Sequence, residues 1–149
     1  MSEFFQSEAF QNALDILIHQ FPLAIWETVY VTILSTFFAV VIGLPLGVLL
    51  VAGEHNRILR VPQWILSVLN VIINLLRSIP FLILMIMVLP LSELLVGTTI
   101  GTVASIPPLI IASASFVARL VETSLREVDK GVIEAAQSMG CSPFQIIWK

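Results

Sequence analysis

Three apolar stretches organise the chain. The first runs from about Ile25 to Val51, with Trp26 and Tyr30 near its start, where interfacial aromatic anchors often sit. Along it Thr28, Thr32, Ser35, Ala39, Gly43 and Gly47 recur every three or four residues. That spacing predicts a helix with one narrow face of small side chains. Gly43 and Gly47 form a GxxxG pair, which suits the close approach of a second helix, and Pro45 between them predicts a bend. The second stretch, Trp64 to Leu91, is apolar except for Arg77-Ser78-Ile79-Pro80 in its middle. The third begins near Ile106 and fades at Arg119, whose stem is expected to snorkel while the helix continues to about residue 121.

Arg77 to Pro80 could be the tip of a hairpin between two spans or a break inside one. As a tip it leaves residues 64–76 and 81–91 to cross alone, about 20 Å and 16 Å of helix against a core of about 30 Å. As a break it leaves one long span over 64–91 that crosses with tilt and a kink. Charge favours the break. With three spans, Arg57 and Arg60 fall on the same side as Arg126, Lys130 and Lys149, and the acidic N-terminus and Glu93 fall on the other. Positive charge marks the cytoplasm, so the expected topology is N-terminus outside and basic segments inside.

Composition agrees with a membrane protein. Of 149 residues, 58% are hydrophobic and only 11% charged, too few to coat a soluble globule. Mean hydropathy is +1.01. The net charge of −3 carries little information beside its distribution. Residues 1–22 mix Phe4, Phe5, Phe10, Leu14 and Ile18 with Glu3, Glu8 and Asp15, which predicts a short amphipathic interfacial helix ending before Pro22. A single cysteine, Cys141, excludes an internal disulfide, and seven scattered Lys and Arg make no nucleic-acid stripe. His19, His55 and Cys141 lack metal-ligand spacing, and no glycine loop followed by Lys-Ser/Thr is present to cradle a phosphate. Glu122, Glu127, Asp129 and Glu134, interleaved with Arg119, Arg126 and Lys130, read as a solvated helical loop.

The tail, "VIEAAQSMGCSPFQIIWK", reads as helix, turn, helix. A helix is expected from about Glu127 to Met139, and Gly140 suits the left-handed position after it. Ser142 can cap the next helix, with Pro143 in its first turn and Phe144 and Trp148 forming an apolar ridge. Two short helices without a long apolar face of their own call for a groove on a soluble partner.

Glu134-Ala135-Ala136, three further residues and Gly140 resemble the EAA loop of ABC-importer inner-membrane permeases. "GLPLGVLL", "RSIPFLIL" and "ARLVETSL" are similar to the methionine branch of that family. The resemblance covers about Trp26 to Lys149. It implies an all-α integral membrane fold with five spans per subunit. Three are expected here (25–51, 64–91 and 106–121, within a permease domain over 23–149), followed by a cytoplasmic coupling loop over 126–149. The last two spans and the end of the loop are expected to be missing. It also implies a cytoplasmic ABC ATPase dimer docking on Glu134, Ala135, Ala136, Gly140, Pro143 and Phe144, with ATP and Mg bound by that partner and no cofactor on this chain. A second permease copy and an extracytoplasmic substrate-binding protein complete the implied assembly. The remaining readings are a permease for another amino acid and a membrane adaptor or orphan fragment that moves no solute.

Inside the membrane the costly residue is Arg77. An unpaired arginine at mid-bilayer costs several kcal/mol, so it is expected to face the bundle interior or a wet cavity and to pair with a carboxylate or with helix carbonyls. Asn74, one turn earlier, shares its face, with Ser78 and Pro80 alongside. Ser113, Ala114, Ser115 and Ala118 form a small-residue patch on the third span that suits tight packing around a pathway.

Overall fold

In a computed structural model of the chain, which describes residues 15–54 and 61–148, the first apolar stretch is one helix, α1 (Phe21–Ala52), entered through a π-helical turn (Ile16–Gln20). The expected stop before Pro22 does not occur. The Phe21 N–H reaches back to the Ile16 carbonyl, and this wider turn carries the chain past a proline ring that cannot donate to a carbonyl four residues back. The rest of the amphipathic segment (residues 1–14), His55, Arg57, Arg60 and Lys149 lie outside the described residues. Helix α1 continues through Pro45. Next come α2 (Gln63–Ser78), α3 (Phe81–Val96), a 3-10 turn (Val103–Ser105), α4 (Ile106–Arg126), α5 (Lys130–Ser138) and α6 (Pro143–Trp148). Every regular element among the described residues is helical, as expected of an all-α fold.

The bundle is organised by α1 against α4. The buried face of α1 is Val31, Ser35, Ala39, Gly43, Gly47 and Leu50; it faces Ala114 and Ala118 of α4. A Cβ added to Gly43 would stand 2.7 Å from the Ala114 carbonyl oxygen, and one on Gly47 2.6 Å from that of Ala118. Only glycine lets the two backbones come this close. Thr28 and Thr32, expected on this face, are exposed, because the buried stripe steps by four residues and passes through Val31 instead. The Thr28 hydroxyl donates to the Ala24 carbonyl of its own helix.

Helices α2 and α3 make the stretch that was expected to cross as one kinked span. Each has 16 residues, about 24 Å, and their axes bend by 116° at Ile79-Pro80, far beyond a mild kink. Proline removes the hydrogen bonds that would hold one axis, and Ile79, forced to extended backbone (φ −80°, ψ 127°), ends α2. The outer ends of the pair still lie at opposite ends of the α1–α4 pair. Leu66 of α2 packs beside Gly53 just past α1, whereas α3 packs on α4 and on the Val103–Ser105 turn. That far end is tied to the start of α1 by the Thr102 hydroxyl, which donates to Glu27 Oε2 at 2.6 Å. Helix α3 runs past Leu91, where the span was expected to end. Ser92 is buried inside α3, and the helix runs to Val96, closed by Gly97 at φ +78°.

Two helical stretches, Ile18–Ala52 and Val103–Arg126, are long and apolar enough to cross a membrane, and α2 and α3 meet that test only as a pair. Gly43→Val and Gly47→Val are each expected to cost about 1–3 kcal/mol by forcing α1 off α4. Val41→Ile, on the exposed face of α1, is expected to stay within about 0.5 kcal/mol. Unfolding of the detergent-solubilised protein measures both.

Candidate functional site

The exposed element at the Arg126 end of the bundle is α5–α6. Asp129 starts α5: its side chain accepts from the Gly131 N–H at 2.6 Å, so the helix begins at Lys130 rather than near Glu127. The intervening residues leave α4, which continues to Arg126, past the expected end of the span at 121. The end of α5 is closed by two crossed hydrogen bonds. The Cys141 N–H donates to Ala136 O at 3.1 Å and the Gly140 N–H to Gln137 O at 3.0 Å, with Gly140 at φ +80°. This Schellman closure needs a left-handed residue where Gly140 stands. At the start of α6, Ser142 and Gln145 cap each other: the Ser142 N–H donates to Gln145 Oε1, and the Gln145 N–H to Ser142 Oγ.

Most of the sequence-singled residues of this element are accessible. Glu134, Ala135, Gly140, Pro143 and Phe144 are exposed, and Ala136 is half-buried. Phe144 stacks on Trp148, ring centroids 6.1 Å apart and planes within 9°. On the opposite side Ile133 and Ile146 join Val48, Val51, Leu125 and Val128 around a narrow apolar groove, which seats the element against the ends of α1 and α4.

Beneath it lies a polar cluster that the sequence reading placed in solvent. Glu122 is 1% exposed. Its two oxygens accept from Arg119 Nη1 at 2.7 Å and Arg126 Nη2 at 2.9 Å. Arg126 also pairs with Glu54 just past α1, at 3.3 Å. Arg119 does not snorkel outward: its Nη2 donates to Asn70 Oδ1 at 3.1 Å and to Asn74 Oδ1, both on α2. Charge-assisted hydrogen bonds join α2 and α4, and the Arg126–Glu54 ion pair ties in the residues just past α1, immediately before the exposed element. The missed signal is the stripe Ala114, Ala118, Glu122: a carboxylate on the small-residue face of α4 must be buried where α1 packs.

At the α2–α3 break, Arg77, Pro80 and Ser115 line one cleft together with Phe81, Leu84 and Phe116. Asn74 does not join Arg77, because it is held by Arg119; Ser78 turns its hydroxyl onto the Asn74 carbonyl at 2.8 Å. Ser115 donates to Ala112 O, and Ser113 is half-buried on α4. Arg77 is exposed and has no hydrogen bond or ion pair among the described residues, so the carboxylate or carbonyl partner expected for it is not supplied by them.

Removing Glu122 would leave two guanidinium groups facing each other without their carboxylate. Glu122→Ala is expected to cost about 3–5 kcal/mol, and Glu122→Gln less, since the amide oxygen still accepts. A double-mutant cycle on Arg119 and Asn74, read by unfolding in detergent, is expected to give a coupling of about 0.5–3 kcal/mol.

Comparison with known proteins agrees with this geometry. The family model described as "Binding-protein-dependent transport system inner membrane component" matches residues 43–149. The D-methionine transport system permease protein MetI of Salmonella typhi is 44% identical over 125 residues, 84% of this chain and 57% of that protein. MetI of Escherichia coli K12 gives the same figures, and the probable MetI of Pasteurella multocida is 46% identical over 127 residues, 85% of this chain and 58% of that protein. A chain of the MetNI methionine ABC transporter, solved in an inward-facing conformation, matches with a TM-score of 0.77 at 43% identity, covering 84% of this chain and 57% of that one. The chain thus spans a little over half the length of the relatives it matches. Long apolar helices and the family match together make it a multi-pass membrane protein, and it belongs to the inner-membrane permease family of binding-protein-dependent transport systems.

Proposed function

We propose that this chain is the pathway-forming, ATPase-coupled portion of a permease for an ATP-driven amino-acid importer, with methionine as the transported solute. The exposed α5–α6 element carries the reading. Its Glu134, Ala135 and Gly140 are exposed, and the element is closed by its own caps beside the ends of α1 and α4. The relatives that share this segment are named as methionine transport permeases.

In this reading α2 and α3 are one broken span, because their outer ends lie at opposite ends of the α1–α4 pair. The N-terminus is then extracytoplasmic and α5–α6 cytoplasmic. A dimer of ABC ATPase subunits docks on the α5–α6 elements of two permease copies and binds the ATP and Mg; this chain forms the pathway and hydrolyses no nucleotide. An extracytoplasmic binding protein delivers the solute. Closure of the ATPase dimer displaces α5, and the displacement reaches α2 through Arg126, Glu122, Arg119 and the two asparagines, so α2 moves with the docked element.

Co-purification from membranes with the cognate ABC ATPase tests the docking. The wild-type chain is expected to retain the ATPase. Glu134→Arg, which reverses a charge on the docking face, and Gly140→Val, which cannot hold φ +80° without strain of roughly 1–2 kcal/mol, are expected to lower the retained ATPase at least about tenfold. A wild-type chain that retains no ATPase, or variants that retain it undiminished, would refute the coupling role.

A further inference from the structure

Arg77, at the break between α2 and α3, has no hydrogen bond or ion pair among the described residues. The cleft it lines opens against Ala112, Ser115 and Phe116 of α4. Helix α4 has 21 residues, about 31 Å, so these positions lie about 9–15 Å from its start. That lies well inside a hydrocarbon core about 30 Å thick, with the lipid phosphates beyond it on either side. At such depth arginine persists only with an anion, a carbonyl or water beside it.

The described carboxylates do not lie at this depth. Glu27 and Glu93 stand toward one end of the bundle, Glu54 and Glu122 toward the other, and Glu122 is already held by two arginines. A second copy of the described segment would bring the same set at the same depths, so it cannot neutralise Arg77 either. Among the described residues nothing at this depth neutralises Arg77, and a small anion that enters the cleft would. Phe81, Leu84 and Phe116 line the same cleft as Arg77 and suit an apolar side chain, and Pro80 opens α3 there, so the positive end of that helix lies at the same cleft.

We propose that Arg77 binds the carboxylate of the transported amino acid within the membrane. The guanidinium offers a planar pair of N–H donors matched to a carboxylate, and the break in the second span holds it in a cleft instead of against a neighbouring helix. This inference rests on the permease reading above. It makes Arg77 a solute-binding residue, separate from the Arg119–Glu122 cluster, which makes its contacts within the protein.

Equilibrium dialysis of radiolabelled L-methionine against the permease–ATPase complex, with no binding protein present, tests it. The wild-type complex is expected to bind methionine, Arg77→Gln to weaken binding at least about tenfold, and Arg77→Lys to restore part of it. On the wild-type complex, 3-(methylthio)propylamine, which keeps the side chain and amine but lacks the carboxylate, is expected not to compete. Competition by that amine equal to methionine, full binding by Arg77→Gln, or no methionine binding by the ATPase-bound wild type would each overturn the proposal. The amine competition decides the matter even if Arg77→Gln fails to assemble. Loss of ATPase binding by the wild-type chain would sink the permease reading instead, so the two failures are distinct.

Discussion

The close approach of α1 and α4 is the constraint on which the other helices depend. Gly43 and Gly47 bring the α1 backbone against the carbonyls of Ala114 and Ala118, a contact in which any larger residue meets backbone at under 3 Å. Lipid supplies no hydrophobic force between helices, so such packing has to come from shape. Once the two helices are seated, the positions one turn further along are fixed as well. Glu122 follows Ala118 on the same stripe and is buried by the same contact, and Glu54 beyond α1 is brought within reach of Arg126.

A buried carboxylate needs its charge answered, and how it is answered shapes the rest of this end of the bundle. Arg119 and Arg126 close on Glu122 from one turn before and one turn after it. Arg119 Nη2 is left over, and Asn70 and Asn74 accept from it, which fastens α2 across α4. Ion pairs of this kind add little net stability over apolar packing, but losing one member is expensive. The cluster therefore serves register: it sets where α2 crosses α4 and where α4 releases the chain into α5. The element proposed to meet the ATPase thus hangs from a joint that contains the helix leading to the break at Pro80.

Much of this was legible in the residues. The GxxxG pair, the glycine that ends α5, the Ser142 cap and the Phe144–Trp148 pair are local signals, and local geometry realises each of them. Length and charge in the sequence favour a break over a hairpin at Pro80. They do not give the size of the bend, because the angle at Ile79-Pro80 depends on which faces of α2 and α3 find α4, and that is a tertiary matter. Arg119 and Glu122 were misread for a related reason. Charge interleaving suggests solvent, and only the α1–α4 contact shows that one member of the run points inward. Arg77 and Asn74 share a helix turn, yet the nearer arginine in space to Asn74 is Arg119 from another helix. Spacing along one helix cannot report a partner on the next.

The central claim is that α2 and α3 form one broken span, which puts α5–α6 on the cytoplasmic side. Cys141 is the chain's only cysteine and lies exposed in the turn between those two helices. Labelling of that thiol by a membrane-impermeant maleimide in intact spheroplasts and in inverted vesicles reads its side directly. Protection in spheroplasts with labelling in inverted vesicles is the predicted result; labelling in intact spheroplasts would contradict the account.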